Sequence, residues 1–381
     1  MAAGARTWSP DRFVSDVERL ALGVPARERL FDEAAARLKR TIPFDGACWH
    51  TLDPGSGLIT QHRLQGLPDR FAVLAHNEYV VEDVNRFVDL ARRRRKAATI
   101  EEATGGNARS SPRQRDLLAP AGLGPELRCA FVSEGVVWGA LILVRRAGAS
   151  EFERREVDLI ARTSRLFAQA VRRGLVAEAA GPEPARPETV AMVELDATGR
   201  LLRASSSADA LLAELSGTTP EAALSSPALH ALASATRAAG PGEPLPTATV
   251  KTPSGSWLVL HGGVIGPRRD GVVSVFVQRA HPMLVAAQLM KAFGLTAREE
   301  EVARLVLRGA TTAQMAVRLA ISPHTVGDHL KSIFVKTGAR ARGELAARLF
   351  FGEHLPRIER RTRLGDDASF ADAPRQPRRA R

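Results

Sequence analysis

Two stretches near the C-terminal end of this 381-residue chain decide its fold. Residues 295–302 read Leu-Thr-Ala-Arg-Glu-Glu-Glu-Val, and residues 320–334 read Ala-Ile-Ser-Pro-His-Thr-Val-Gly-Asp-His-Leu-Lys-Ser-Ile-Phe. In the first stretch Thr296 and Glu299 form a capping box, in which each side chain can bond the backbone amide of the other. The pattern predicts a run of short helices, each with its own start signal.

The later helices carry start signals of the same kind. Thr311 and Gln314 form a second capping box. Ser322 is a favourable N-cap, and Pro323 occupies the first helical position, where its missing N–H is not needed. The third helix is predicted over residues 323–336, and a fourth packs behind it. Two short helices joined by a tight turn are typical of a helix-turn-helix, whose second helix enters the major groove of DNA.

The third helix has an apolar side and a polar side. Val326, Leu330 and Ile333 share one side, at the spacing of a buried helix face. The opposite side presents His324, Gly327, Asp328, Lys331 and Val335. It holds a hydrogen-bond donor and an acceptor, which suits the edges of bases. The flanking candidates for phosphate contacts are Thr312, Ser322, Thr325 and Lys336.

The whole stretch resembles the LuxR-type DNA-binding domain. The positions in register with that family include Leu295, Thr296, Arg298, Glu299, Val302, Gly309, Ala316, Leu319, Ser322, Thr325, Val326, His329, Ile333, Lys336, Gly338, Arg342, Glu344 and Leu345. The resemblance implies an all-α four-helix domain over residues 295–355. It also implies base contacts from Gly327, Asp328 and Lys331, and dimer contacts from the fourth helix, with Leu345 and Leu349 as candidates.

Gly327 departs from the family pattern, because many members have a longer polar side chain at this position. Glycine offers no side-chain donor, and it weakens a helix by up to about 1 kcal/mol relative to alanine. Direct base readout at this position therefore stays open.

Charge and composition favour a polyanionic partner and a reducing compartment. The net charge is +12 and the sequence pI is about 10.8. Cys48 and Cys129 are the only cysteines, too few for a disulfide framework. The start of the chain lacks the pattern of a signal peptide, and no apolar run is long enough to cross a membrane. We therefore expect a cytoplasmic protein with no membrane contact.

The first 180 residues predict an α+β sensor domain. The predicted elements are a helix at 26–39, strands at 47–52, 58–64, 127–133 and 136–145, and a helix from 150 to 174. Strand 136–145 is apolar on both sides, which indicates a central position. The segment Val137–Leu141 and the helix after it resemble a GAF domain. We expect a pocket between the sheet and residues 71–118, faced by Cys48, Trp49, His50 and Cys129; an inert core role for the cysteines is the alternative.

The middle of the chain predicts a second, smaller α+β unit. Residues 181–189 are rich in proline and charge and are typical of a linker. Residues 190–282 show a hairpin, helices and a three-strand meander, which resembles a PAS domain; a continuation of the first sensor core is the alternative. Residues 283–294 predict a helix that joins the sensors to the DNA-binding domain. Residues 356–381 predict a disordered basic tail.

This organisation predicts a one-component transcriptional regulator. We expect it to bind duplex DNA as a homodimer at an inverted repeat, to act on RNA polymerase, and to respond to a small-molecule effector or a partner protein. No phosphate-binding loop, zinc-protease motif or nucleophile-elbow motif is present, so we expect no cofactor, no metal and no enzymatic activity. The alternative function is a non-specific nucleoid-binding or scaffold protein that uses the basic tail.

Overall fold

The structure is a computed structural model that describes residues 9–23, 27–179, 189–240, 242–265 and 272–351. Within these ranges, two five-stranded antiparallel sheets are followed by a helical C-terminal part. The expected multidomain α+β class with an all-α end is confirmed. The predicted tail, and the predicted linker except residue 189, lie outside the described residues. No helix in the described ranges combines the length and apolarity needed to cross a membrane.

The first unit has a helical layer on one side of its sheet. Its elements are α1 (Pro10–Leu22), α2 (Arg27–Thr41), β1 (Gly46–Leu52), β2 (Ile59–Gln65), α3 (Phe71–Tyr79), α4 (Phe87–Arg92), β3 (Ala97–Thr99), α5 (Ile100–Thr104), β4 (Leu123–Ser133), β5 (Val136–Arg146) and α6 (Arg154–Ala179). The strand order is β2-β1-β5-β4-β3. The strand that is apolar on both sides is therefore central, as expected.

The hairpin between β4 and β5 turns at Glu134 and Gly135. Their φ angles are +54° and +76°. Positive φ at both central residues is typical of the two-residue turn that matches the twist of paired strands. The two residues between the predicted strands 127–133 and 136–145 therefore form a tight turn, although the first position is not a glycine.

The core of the first unit lies between its sheet and helices α1, α2 and α6. The Trp49 ring lies 5.4 Å from the ring of Phe31 and 5.2 Å from that of Phe167, measured between centroids. Cys129 faces the same helices, since its Sγ is 3.9 Å from the backbone oxygen of Ile160. Trp49 and Cys129 therefore face the helical layer, and the expectation that they line a pocket on the opposite side is wrong.

The second unit repeats the strand order of the first. Its elements are β6 (Val190–Leu195), β7 (Leu201–Ala204), α7 (Ala208–Ser216), α8 (Pro220–Ala223), α9 (Pro227–Ala238), β8 (Thr247–Lys251), β9 (Trp257–Ile265) and β10 (Val272–Arg279). The sheet order is β7-β6-β10-β9-β8, with all pairs antiparallel. The hairpin and the three-strand meander form as expected.

Five helices complete the described chain. They are α10 (Pro282–Ala292), α11 (Ala297–Leu307), α12 (Thr312–Leu319), α13 (Pro323–Thr337) and α14 (Arg342–Ala346), and a wider helical turn over Ala347–Phe351 follows. We call α11 to α14 and this turn the head. The predicted four helices are present, and α13 ends one residue later than expected.

The buried apolar side chains form two continuous clusters instead of one per predicted domain. One cluster joins the helical layer of the first unit to α10 and the head. The other joins the opposite face of the first sheet to the interior of the second unit. The described units are therefore packed against one another, and the exact domain boundaries stay predictions.

We predict that Phe167→Ala destabilises the first unit by about 3–5 kcal/mol, because a fully buried ring between Trp49 and Phe131 is replaced by a cavity. Urea denaturation followed by tryptophan fluorescence measures the change, since Trp49 touches the substituted position. Leu202→Ala, at an exposed residue, is the control and should shift stability by less than about 0.5 kcal/mol. A loss below about 1 kcal/mol for Phe167→Ala would contradict the packing.

Candidate nucleic-acid interface

The starts of the head helices have the predicted caps. The Thr296 hydroxyl accepts from the Glu299 amide at 3.3 Å, and the Glu299 carboxylate accepts from the Thr296 amide at 2.7 Å. Thr311 and Gln314 make the same reciprocal pair. Ser322 caps α13 through its side chain. These local bonds begin α11, α12 and α13 at the residues read from the sequence.

α13 buries one side and leaves the other open. Val326, Leu330 and Ile333 are buried against the head core. On the open side Asp328 lies between His324 and Lys331: its Oδ2 is 3.1 Å from His324 Nδ1, and its Oδ1 accepts from Lys331 Nζ at 3.3 Å. The arrangement presents donors and an acceptor together on one helix face, which is the chemistry that base edges in the major groove require.

Gly327 stands beside this polar set on ordinary helical backbone. A Cβ placed on it would meet nothing within 4 Å, and its φ angle is not positive. Packing within the described chain therefore does not require glycine here. Glycine in place of the longer polar side chain of the family pattern therefore leaves an open space on the surface of α13.

The hydroxyl candidates for phosphate contacts lie at the beginnings of α12 and α13. Ser322 Oγ and Thr325 Oγ1 lie 2.9 Å apart at the start of α13. Thr312 Oγ1 accepts from Arg342 Nη2 at 2.6 Å, so its own proton stays available for a further acceptor. Backbone amides at helix starts favour anions, so both positions suit phosphate oxygens.

Lys336 lies in a different environment from the one that a phosphate contact needs. Its Nζ is 2.7 Å from Glu299 Oε2, and Ser332 Oγ donates to Glu299 Oε1 at 2.6 Å. This buried carboxylate thus joins the start of α11 to the end of α13. The ion pair competes with any phosphate for the Lys336 charge, and the phosphate contact stays a prediction.

Leu345 and Leu349 differ from the expectation for dimer contacts. Both side chains are buried, with exposed fractions of 0% and 2%, and they belong to the core that includes α10. They hold the fourth helix to its own protomer. In this conformation they offer no surface to a second copy.

Sequence reasoning missed two exposed cations on the head. Arg318 on α12 and Arg340 before α14 are exposed and have no ion pair with another described residue. Helical periodicity placed Arg318 opposite the buried Ala316, a signal that was available in the sequence. Both are additional candidates for phosphate contacts.

A cavity of about 100 Å³ lies on the other face of the first sheet, where a sensor pocket was expected. Its walls come from the sheet, from α3 and from the segment before β4, and they are mainly apolar. The apolar lining includes Leu64, Leu74, Leu118, Ile142 and Val144. Cys48 lines it as expected, whereas His50 on the same face packs against Phe71 and Phe87.

The buried polar groups around the cavity are neutral or already paired, whereas Asp69 and Arg70, which also line it, are exposed. Burial raises the pKa of the Cys48 thiol, so the sulfur stays protonated. Burial also lowers the pKa of His62, and its Nδ1 is buried without a hydrogen-bond partner. Arg113 and Glu126 form a buried pair, with Nη2 2.8 Å from Oε2. No group of three metal-ligating side chains lies within the described ranges.

Comparison with known proteins identifies the head. Residues 294–349 match the family model "GerE: Bacterial regulatory proteins, luxR family". No curated protein sequence matches the chain.

Two solved structures show similarity to parts of the chain. The GAF domain/HD domain protein from Geobacter sulfurreducens is 18% identical, over 42% of this chain and 93% of that one, with a TM-score of 0.26. The VqmA–ligand–DNA complex of Vibrio cholera is 20% identical, over 42% and 80% of the two chains, with a TM-score of 0.20. TM-scores this low do not establish a shared overall fold.

We predict that Glu299→Gln destabilises the head by roughly 1.5–3 kcal/mol at neutral pH, because the charge-assisted bonds from Lys336 and Ser332 are lost. Burial raises the pKa of Glu299, but the bonds from Lys336, Ser332 and Thr296 outweigh it and lower the pKa from 4.5 to about 2. Since the folded-state pKa is depressed, this stabilisation is complete above about pH 4.5 and disappears as the pH falls towards 2.

Amide hydrogen exchange in α11 and α13 measures this effect, because the described head contains no tryptophan. The matched control is Glu301→Gln, at a half-exposed carboxylate on the same helix whose one ion-pair partner in the described part of the chain is Arg298. Equal exchange rates in the two variants, or an unchanged acid sensitivity in Glu299→Gln, would rule out the assigned role.

Proposed function

We propose that this DNA-binding transcriptional regulator, whose LuxR-type helix-turn-helix domain spans residues 294–349, binds a specific inverted repeat in duplex DNA as a cytoplasmic homodimer. The observation that carries the proposal is the open side of α13, where Asp328 lies between His324 and Lys331. This side enters the major groove and reads base edges.

The other contacts follow from the position of α13. Thr312, Ser322 and Thr325 bind phosphates beside the groove and set the orientation of the helix. Arg318 and Arg340 add charge at the rim. A two-fold dimer reads two half-sites about one helical turn apart, roughly 34 Å.

The dimer is formed by the fourth helix, but through its exposed side, since Leu345 and Leu349 face their own protomer. That side carries Gly343 and Arg348. On DNA the regulator acts on RNA polymerase and catalyses no reaction itself.

Control comes from a small ligand in the cavity of the first unit. The support for this proposal is a mainly apolar cavity of about 100 Å³ with one unpartnered imidazole nitrogen, on His62. A neutral, largely apolar molecule with a single polar group fits this lining, because the lining is mainly apolar and the buried Arg113 and Glu126 are already paired with each other. A partner protein that changes the same unit is the alternative source of control.

We predict that the full-length protein enriches one inverted repeat from a random duplex pool at physiological salt. Lys331→Ala should make this sequence preference weaker. Loss of a base contact should cost about 1–3 kcal/mol and relax preference at its position. Arg308→Ala, which removes one charge from the head outside α13, is the control and should keep the preference.

The outcome separates a specific regulator from a non-specific one. A specific regulator prefers its site over random DNA by about 10³-fold or more. The contrary outcome is DNA binding without enrichment of any sequence, with equal loss of affinity in Lys331→Ala and Arg308→Ala. That outcome would replace the proposal with non-specific binding driven by the net charge of +12.

We also predict that Gly327→Lys strengthens DNA binding by the full-length chain. The new side chain enters open space on the groove-facing side, and replacing glycine within a helix adds up to about 1 kcal/mol of stability. Fluorescence anisotropy with the selected duplex measures the affinity, and Gly327→Ala separates helix stabilisation from the new charge. Weaker binding of Gly327→Lys than of Gly327→Ala would show that this side does not face DNA.

A further inference from the structure

One carboxylate holds together the first unit, the second unit and the helix that leads to the head. Asp53 directly follows β1 and is buried, with an exposed fraction of 3%. Its Oδ1 accepts from the Gly55 amide at 2.7 Å and from Gln288 Nε2 at 2.8 Å. Its Oδ2 accepts from Ser56 Oγ at 3.1 Å and from the Thr249 amide at 2.8 Å. We call this carboxylate and its four donors the Asp53 junction.

Only two of these four bonds belong to an ordinary turn. An aspartate commonly accepts from backbone and hydroxyl groups two or three residues on, as it does here from Gly55 and Ser56. The bonds from Thr249 and Gln288 span 196 and 235 residues of sequence and contribute nothing to the turn. β8 is an edge strand, so its outward amides need partners from elsewhere.

Apart from its bond to Asp53, the side-chain amide of Gln288 is poorly hydrogen-bonded. It is buried on α10, and its Oε1 has no hydrogen-bond partner. Gly55 permits the approach, since a Cβ at this position would lie 3.1 Å from Asp53 Oδ1 and 3.3 Å from Gln288 Nε2. The buried side-chain amide of Gln288 is thus held through its Nε2 alone, by the hydrogen bond to Asp53. A small displacement of β1 disrupts this arrangement.

Neighbouring contacts restrain the rest of α10. Lys291 Nζ donates to the Pro54 backbone oxygen at 3.0 Å, in the same turn that contains the junction. Arg172 Nε donates to the Ala292 oxygen at 3.1 Å, and its Nη1 contacts Glu134 Oε1 at 3.0 Å. A Cβ on Gly294, immediately before the head, would lie 2.5 Å from the Arg172 guanidinium.

We propose that Asp53 is the positioning residue through which the first sensor sheet sets the position of α10 and thereby of the head. Cys48 of β1 lines the cavity, five residues before Asp53. A ligand that shifts β1 moves the carboxylate, and the bond to Gln288 transmits the shift. The inference deepens the proposed function, because it names how an occupied cavity changes the DNA-binding part.

Asp53→Asn tests the junction in the full-length chain without changing its volume. Each carboxylate oxygen accepts two donors, so the amide NH₂ faces a backbone donor whichever way it turns. Amide hydrogen exchange in α10 should become about tenfold faster, while exchange in β5 stays unchanged. Asp196→Asn is the matched control, because among the described residues the Asp196 side chain bonds Thr198 and Arg200 of its own hairpin and no distant element.

A second substitution tests transmission from the cavity. Ile142→Phe adds volume to the cavity wall and stands in for an occupant. It should change α10 exchange by about fivefold in the otherwise unchanged chain and by less than about twofold beside Asp53→Asn. Equal effects in both backgrounds would overturn Asp53 as the transmitting residue.

If amide hydrogen exchange in α10 is unchanged in Asp53→Asn, the proposal that the Asp53 carboxylate restrains α10 is overturned. If Asp53→Asn fails to fold, Gly55→Ala keeps the carboxylate but crowds Gln288, and it should accelerate α10 exchange in the same direction. These measurements need no DNA. A failed selection from the duplex pool therefore refutes the proposed function without touching the junction, and the converse also holds.

Discussion

The architecture depends on the need to cover both faces of β5. This central strand carries Trp138, Leu141 and Leu143 towards the helices, and Ile142 and Val144 towards the other side. Apolar groups on both faces must leave water, so the sheet needs a layer on each side. Helices α1, α2 and α6 supply one layer, and α3 with the second unit contributes to the other.

This two-sided covering places the sensor and the head in physical contact. The core of the helical layer continues through α10 to Leu345 and Leu349, so the DNA-binding domain packs on the sensor. Continuous cores respond to displacement as units because their side chains are close-packed. Polar contacts at Asp53 and Arg172 then fix the position of α10 within that packing. A regulator built this way needs no long flexible connection between its sensing and binding parts.

Some residues predicted for the DNA interface are exposed in the folded chain, and others are paired or buried. Asp328 and Lys331 stay on the open side of α13, where helical periodicity placed them. Lys336 has the right charge, yet it is paired with Glu299 from a helix start 37 residues earlier. Leu349 is apolar as a dimer contact should be, but the same apolarity favours burial in its own protomer. Residue type and spacing did not distinguish these outcomes.

Sequence alone determined the features that depend on neighbours along the chain. Capping at Thr296 and Thr311, the turn at Glu134–Gly135, the central position of β5 and the two sides of α13 all follow from short-range bonds and periodicity. Tertiary structure decided the partners of side chains that lie far apart in the chain. The Asp53 bonds to the second unit and to α10, and the choice of face for Trp49, come from how finished elements pack. Sequence spacing carries no information about that packing, because many partners satisfy the same buried donor or ring equally well.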